Sequence, residues 1–337
     1  MKKVLLATAV AAMAFTSCSQ SEEFENAGQN AEISFNSIIN KSARAAIVEN
    51  DDFESFTVNG YRTIEALTAD SLLKTGFMDN VPVKKNGNNW EQTGTFYWPA
   101  KAYVSFFATS PAQTLNIDSK GYPKFEYTVG DIASQEDLLA ANLINQTKSD
   151  NKVTLGFCHL LTQVNFSIKG DTKDFKYVIS KLKISGVSST ATYSFDGNKN
   201  TVGSWGNQGN ADKSYEYTLS TPKEITVTDL SVSTKLEADK SSLFMLIPQN
   251  LTDAADVSIT YYAIPNDKTS ELDKTFEGTK TVKLGTATNW EANKKVRYTL
   301  TLTSDAKSIE MDVPTVTAWD TADTDGGTIK PVTPPVE

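Results

Sequence analysis

Period-two alternation of apolar and polar residues constrains the fold of this chain more than any other feature. Val296, Tyr298, Leu300 and Leu302 are separated by Arg297, Thr299 and Thr301. Val257, Ile259, Tyr261 and Ala263 are separated by Ser258, Thr260 and Tyr262. Val164, Phe166 and Ile168 follow the same rule, as do Ile309, Met311 and Val313. Alternation sends one set of side chains to a core and the other to water, the pattern of half-buried antiparallel strands. Leu243-Phe244-Met245-Leu246-Ile247 is apolar at every position and stops at Pro248, which predicts a central strand covered on both faces. Hairpin signals lie between such runs at Asn59-Gly60, Asn86-Gly87, Lys120-Gly121 and Asp196-Gly197, pairs suited to the positive φ angles of tight turns. Short strands with turns at this density predict an all-β fold of antiparallel β-sandwiches. One segment is ambiguous. Ser134-Gln135-Glu136-Asp137 has the form of a capping box for a helix over Leu138 to Ile144, but that apolar run is too short for its period to decide.

The N-terminus reads as an export signal. Met1-Lys2-Lys3 is a positive start, and Val4 to Phe15 is apolar except for Thr8. That run is too short to cross a hydrocarbon core of about 30 Å. Thr16-Ser17-Cys18 places small residues before a cysteine, the order of a lipoprotein signal in which the Cys18 thiol is lipidated and becomes the mature N-terminus. With no second long apolar run, the expected relation to the membrane is anchorage rather than spanning. Ser19 to Asn26 is polar and acidic, a solvated tether. If Cys18 is lipidated, Cys158 lacks an intramolecular partner, and its apolar setting suits a buried structural thiol.

Removing Lys2 and Lys3 with the leader takes the formal charge from −9 to −11. An acidic exterior disfavours nucleic acid. A mature chain of roughly 300 residues suggests two domains, and Lys148 to Lys152 is a polar gap where they could meet. The expected division is a leader over 1–17, an acidic tether over 18–30, β-sandwich domains over 31–150 and 151–319, and a flexible Pro-rich tail over 320–337.

The residues give no sign of an active site. His159 is the only histidine; catalytic triads and histidine metal sites need companions for it, so a structural histidine is expected. No GxxxxGK(S/T) run offers a phosphate cradle, and no GxGxxG follows a strand. Asp320, Asp323 and Asp325 before Gly326 loosely resemble a calcium loop, but the EF-hand spacing is unmatched and no bidentate glutamate ends it. We expect no enzyme activity, no cofactor and no metal. The aromatics Trp98, Trp205, Trp290 and Trp319 are expected to fill cores, although a sugar-stacking platform is an alternative use.

Several blocks, in order along nearly the whole chain, resemble the fimbrillin (Mfa-like) family of type V pilus proteins. They are Ser42-Ala43-Arg44-Ala45, Phe96-Tyr97-Trp98-Pro99, Asp137-Leu138-Leu139-Ala140-Ala141, Leu155 to Val164, Leu246-Ile247-Pro248-Gln249, and Asn289 to Leu300. The acidic tether also resembles the export signal of surface lipoproteins in bacteria that make fimbrillins. The resemblance implies two tandem transthyretin-like sandwiches, an extended segment rather than a helix after Asp137, a lipid anchor in the outer membrane, and other pilus subunits as partners in a homo- or hetero-polymer. It also implies an arginine-specific protease that cuts after Arg44, removes a first strand carrying Ile33 and Phe35, and exposes a groove for a neighbour's strand. The donor candidate is the tail, where Ile329, Val332 and Val336 are the apolar residues. Two functions stay open. One is a subunit or anchor of a cell-surface fimbria with a role in adhesion; the other is a surface lipoprotein that binds a glycan or host ligand. The anchor is directly testable: Cys18→Ser is expected to move the precursor or an uncut anchor form from the membrane to the soluble fraction and to abolish uptake of labelled palmitate. Persistence of both in the mutant would show that Cys18 is not the lipidated residue.

Overall fold

The computed structural model describes residues 31–39, 53–74, 76–149, 152–199, 201–209, 211–237, 241–285, 289–303, 308–319 and 330–331. Cys18, Arg44, Ile329, Val332, Val336 and the aspartates after Trp319 lie outside these, as do the leader and tether. The described chain is all-β, with two short 3-10 turns and no α-helix.

Eight strands come from the first half. They are β1 (Phe35–Ile39), β2 (Ser55–Thr63), β3 (Met78–Asn86), β4 (Asn89–Gln92), β5 (Tyr103–Ser110), β6 (Lys124–Thr128), β7 (Leu139–Gln146) and β8 (Val153–His159). Seven of them form one sheet in the order β1-β8-β7-β5-β2-β3-β4. Only the β1–β8 pair in it is parallel. The capping-box segment gives no helix: Ile132–Ser134 is a single 3-10 turn and Leu139–Gln146 is strand β7. The polar gap at 148–152 connects β7 to β8, which pair antiparallel as Leu139↔His159. Strand β8 therefore completes the first sheet, although it lies beyond residue 150. Strand β6 crosses the other way and pairs with a strand of the second half.

That half contains β9 (Thr162–Gly170), β10 (Phe175–Val187), β11 (Thr190–Ser194), β12 (Ser204–Gly209), β13 (Lys213–Thr226), β14 (Thr234–Lys235), β15 (Ser241–Ser242) and β16 (Phe244–Leu246). It continues with β17 (Gln249–Asn250), β18 (Asp256–Pro265), β19 (Phe276–Lys283), β20 (Asn289–Trp290), β21 (Lys294–Leu302), β22 (Ile309–Met311), β23 (Thr315–Ala318) and β24 (Lys330–Pro331). One layer is β13-β10-β18-β19. The other is built on β9 and β21, which run parallel with Val164 opposite Val296 and Phe166 opposite Tyr298. The alternating residues named from sequence in β9, β18 and β21 meet in one core between the layers. Phe166 stacks on Tyr298 at 5.4 Å, and Trp290 Nε1 donates to the Tyr298 hydroxyl at 3.0 Å. Burial pushes that hydroxyl up to about 12, against the opposing effect of the Trp290 bond.

Several local expectations need correction. Asn59-Gly60 is not a hairpin; it sits inside β2, where the register slips between Val58 and Gly60. The Asn59 carboxamide accepts from Asn80 N at 2.9 Å, and a Cβ on Gly60 would lie 3.0 Å from that of Met78, so the pair makes a bulge against β3. Asn86 and Asn89 pair across a two-residue turn, Gly87-Asn88, with Gly87 at φ +58°. Val313 does not continue the alternation of β22 and is 92% exposed. Strand β9 is buried on both faces, because Gln163, Asn165 and Ser167 are covered too. The run Leu243 to Ile247 is fully buried as expected, yet β16 pairs with β9 alone. In place of a second neighbour, the Gln135 side chain accepts from Met245 N at 2.8 Å. Leu246 is 0% exposed, so Leu246→Ala is expected to cost about 2–5 kcal/mol of unfolding free energy in a denaturant titration.

Candidate functional site at the seat of the first strand

Among the candidate residues on described backbone, Ile33 and Phe35 stand together in one built site. From residue 31 the described chain is gripped on both sides within nine residues. On one side it runs antiparallel to the segment after β4. There Ile33 N donates to Phe96 O at 2.8 Å, and Trp98 N donates to Ala31 O at 3.0 Å. Gln92 Nε2 adds a 2.8 Å bond to Ile33 O. On the other side β1 runs parallel to β8, with Phe35 opposite Val153 and Ile39 opposite Phe157, and Val153 N donates to Ser34 O at 2.7 Å. The first strand thus extends the sheet beyond β8, while the segment just before it is held by residues 96–98 and by the Gln92 side chain of β4.

Its side chains alternate as the sequence predicts. Glu32 and Asn36 are exposed, whereas Ile33, Phe35 and Ser37 face inward at 0%, 1% and 9% exposure. The Phe35 ring meets Phe106 edge-on at 5.4 Å and Phe56 at 6.3 Å, both near 90°. Phe106 in turn meets Trp98 edge-on at 5.8 Å. Burying Ile33 and Phe35 contributes roughly 1.5–3 kcal/mol each. Sequence reasoning missed the receiving wall: Gln92, Phe56, Phe106 and Val153. A parallel pairing across more than a hundred residues leaves no turn signal between its partners, so nothing local marks it.

The tail candidates remain outside the described residues. The two described tail residues, Lys330 and Pro331, pair in parallel with Ser241 and Ser242 of β15. His159 is a structural residue: its Nδ1 lies 2.6 Å from Asp137 Oδ2, and its ring stacks on Trp319 at 4.4 Å. All three side chains are largely buried. No group of three or more His, Cys, Asp or Glu is arranged for a metal among the described residues. Trp98, Trp290 and Trp319 are core residues, and Tyr97 is the one aromatic among the large exposed hydrophobic side chains described.

These features define a class: an all-β protein with two hydrophobic cores, whose first sheet carries at its edge a strand near the N-terminus. A family model described as Fimbrillin-like matches residues 43–319, and the chain belongs to that family. A fimbrial protein from Bacteroides vulgatus shares the fold at 20% identity and a TM-score of 0.63, with 86% of this chain and 100% of that one covered. A candidate cell adhesion protein from Bacteroides uniformis is 18% identical, with a TM-score of 0.49 over 88% of this chain and 100% of its own. No curated protein matches the sequence. The seat of Phe35 has a measurable depth: Phe35→Ala is expected to lower unfolding free energy by about 3–5 kcal/mol in a chemical melt. A loss under 1 kcal/mol would show that the strand is not held by this side chain.

Proposed function

We propose that this protein is a subunit or anchor of a cell-surface fimbria, joined to its neighbours by strand exchange at the seat of residues 31–39. In this reading the chain is exported as an outer-membrane lipoprotein on Cys18. An arginine-specific protease cuts after Arg44, five residues beyond the end of β1. The freed strand leaves, and a neighbour's strand takes over both its backbone partners and its apolar burial. The tail with Ile329, Val332 and Val336 is this chain's own donor segment.

The observation that carries the proposal is the two-sided grip on a strand this close to the N-terminus. Removing it uncovers the edge of β8 and the bonding groups of Phe96 and Trp98, and empties the sites of Ile33 and Phe35. A sheet opened in this way is a template for one more strand, and it discriminates by side chain at alternate positions. Family membership supports a pilus role, with adhesion and the cell surface as its setting. The glycan- or host-binding alternative gains no comparable feature, since the described exposed surface offers no flat group of aromatic rings.

The test is made on cells. Wild-type protein is expected in high-mass ladders that survive mild SDS, with a mature N-terminus at Ala45. Arg44→Ala is expected to keep the longer N-terminus and lose the ladders. Ladders of normal length in the Arg44→Ala strain, or a wild-type protein that never enters them, would overturn the proposal.

A further inference from the structure

We infer that the seat of residues 31–39 accepts a strand from a different kind of subunit, one that carries a β-branched aliphatic residue followed two positions later by an aromatic one. The inference rests on the strand-exchange reading above and adds the chemistry of the partner. Three demands on the inserted strand follow from the strand now in place. First, the inward positions are filled by Ile33, Phe35 and Ser37, in the order branched, aromatic, small. Second, Phe35 packs edge-on between Phe56 and Phe106, so an aliphatic side chain there forfeits both ring contacts and leaves a void. Third, the backbone needs N–H groups at particular places. Position 33 donates to Phe96 O, and the parallel ladder fixed by Val153 N on Ser34 O turns the N–H groups of positions 36 and 38 toward β8.

The tail of a second copy meets none of these sets in full. Residues 320–337 contain no aromatic residue. The three apolar candidates can each be placed where Phe35 sits, threading the tail in the direction of the strand it replaces. Ile329 there leaves Gly327 in the seat of Ile33. Val332 there puts Lys330 in that seat and Pro335 where position 38 must donate. Val336 there puts Pro334 where position 33 must donate. Proline has no N–H to give, glycine fills no pocket, and a lysine ammonium in an apolar seat lacks a partner. Other runs with the required pattern, such as Val164 to Phe166, are themselves buried in the second core. Residues 320–337 therefore do not fit this chain's own seat when threaded in the direction of the strand they would replace, and the seat calls for a strand unlike them.

Lipid-free full chain trimmed after Arg44 by an arginine-specific protease is the material for the test. Exchange of fluorescent peptides into it is followed by anisotropy. The peptides are residues 31–39, the same peptide with F35V, and residues 327–337. The 31–39 peptide is expected to bind, the F35V peptide at least about tenfold more weakly, and the tail peptide at least about a hundredfold more weakly. The trimmed chain alone is expected to stay monomeric in light scattering. A tail peptide that binds within about tenfold of the 31–39 peptide, or a trimmed chain that polymerises alone, would overturn the inference while leaving strand exchange intact. Failure of the 31–39 peptide itself to bind would instead remove the strand-exchange reading, and this inference with it.

Discussion

One ladder governs the first half of the molecule: the parallel pairing of β1 with β8. Without it, β8 would present a row of unpaired backbone groups, and the core behind Phe56 and Phe106 would open to water. Edges of this kind are managed in proteins by covering them, and here a short N-terminal strand does so. Magnitude matters. Two fully buried side chains at roughly 1.5–3 kcal/mol each are a large fraction of a domain's net stability of about 5–15 kcal/mol. An empty seat is thus a high-energy condition, and any strand that relieves it is held firmly.

How far the sequence reveals this depends on the range of each interaction. Alternation in β18 and most of β21 was readable because burial on one face acts residue by residue, whereas the second buried face of β9 was not. The hairpin at Asn86-Gly87 was readable because φ at Gly87 is a local property. Asn59-Gly60 carried the same letters but took its conformation from β3, where Asn80 and Met78 lie against it. At the site, Ile33 and Phe35 were visible as alternating apolar residues. Their wall was not, because Phe96, Phe106 and Val153 meet the strand only through pairings distant in sequence.

The two halves are stitched by polar groups as well as by packing. Asp137 holds His159, His159 lies flat on Trp319, and Gln135 completes the unpaired edge of β16. Asn142 does similar work from β7, donating to the carbonyls of Asp196 and Asn198 at 2.9 and 3.0 Å. In each case a side chain from the first half serves a backbone or ring in the second.

The geometry of the first strand has a mechanical meaning. Its bonds to β8 and to the segment 96–98 lie across the strand, on both sides of it. A pull along the strand axis loads them together, in shear, whereas a pull across the axis would open them one after another like a zip. A subunit tethered through this seat would be tugged lengthwise by whatever drags on the filament. The bonds that hold it would share that load, so each would carry only a fraction of the force.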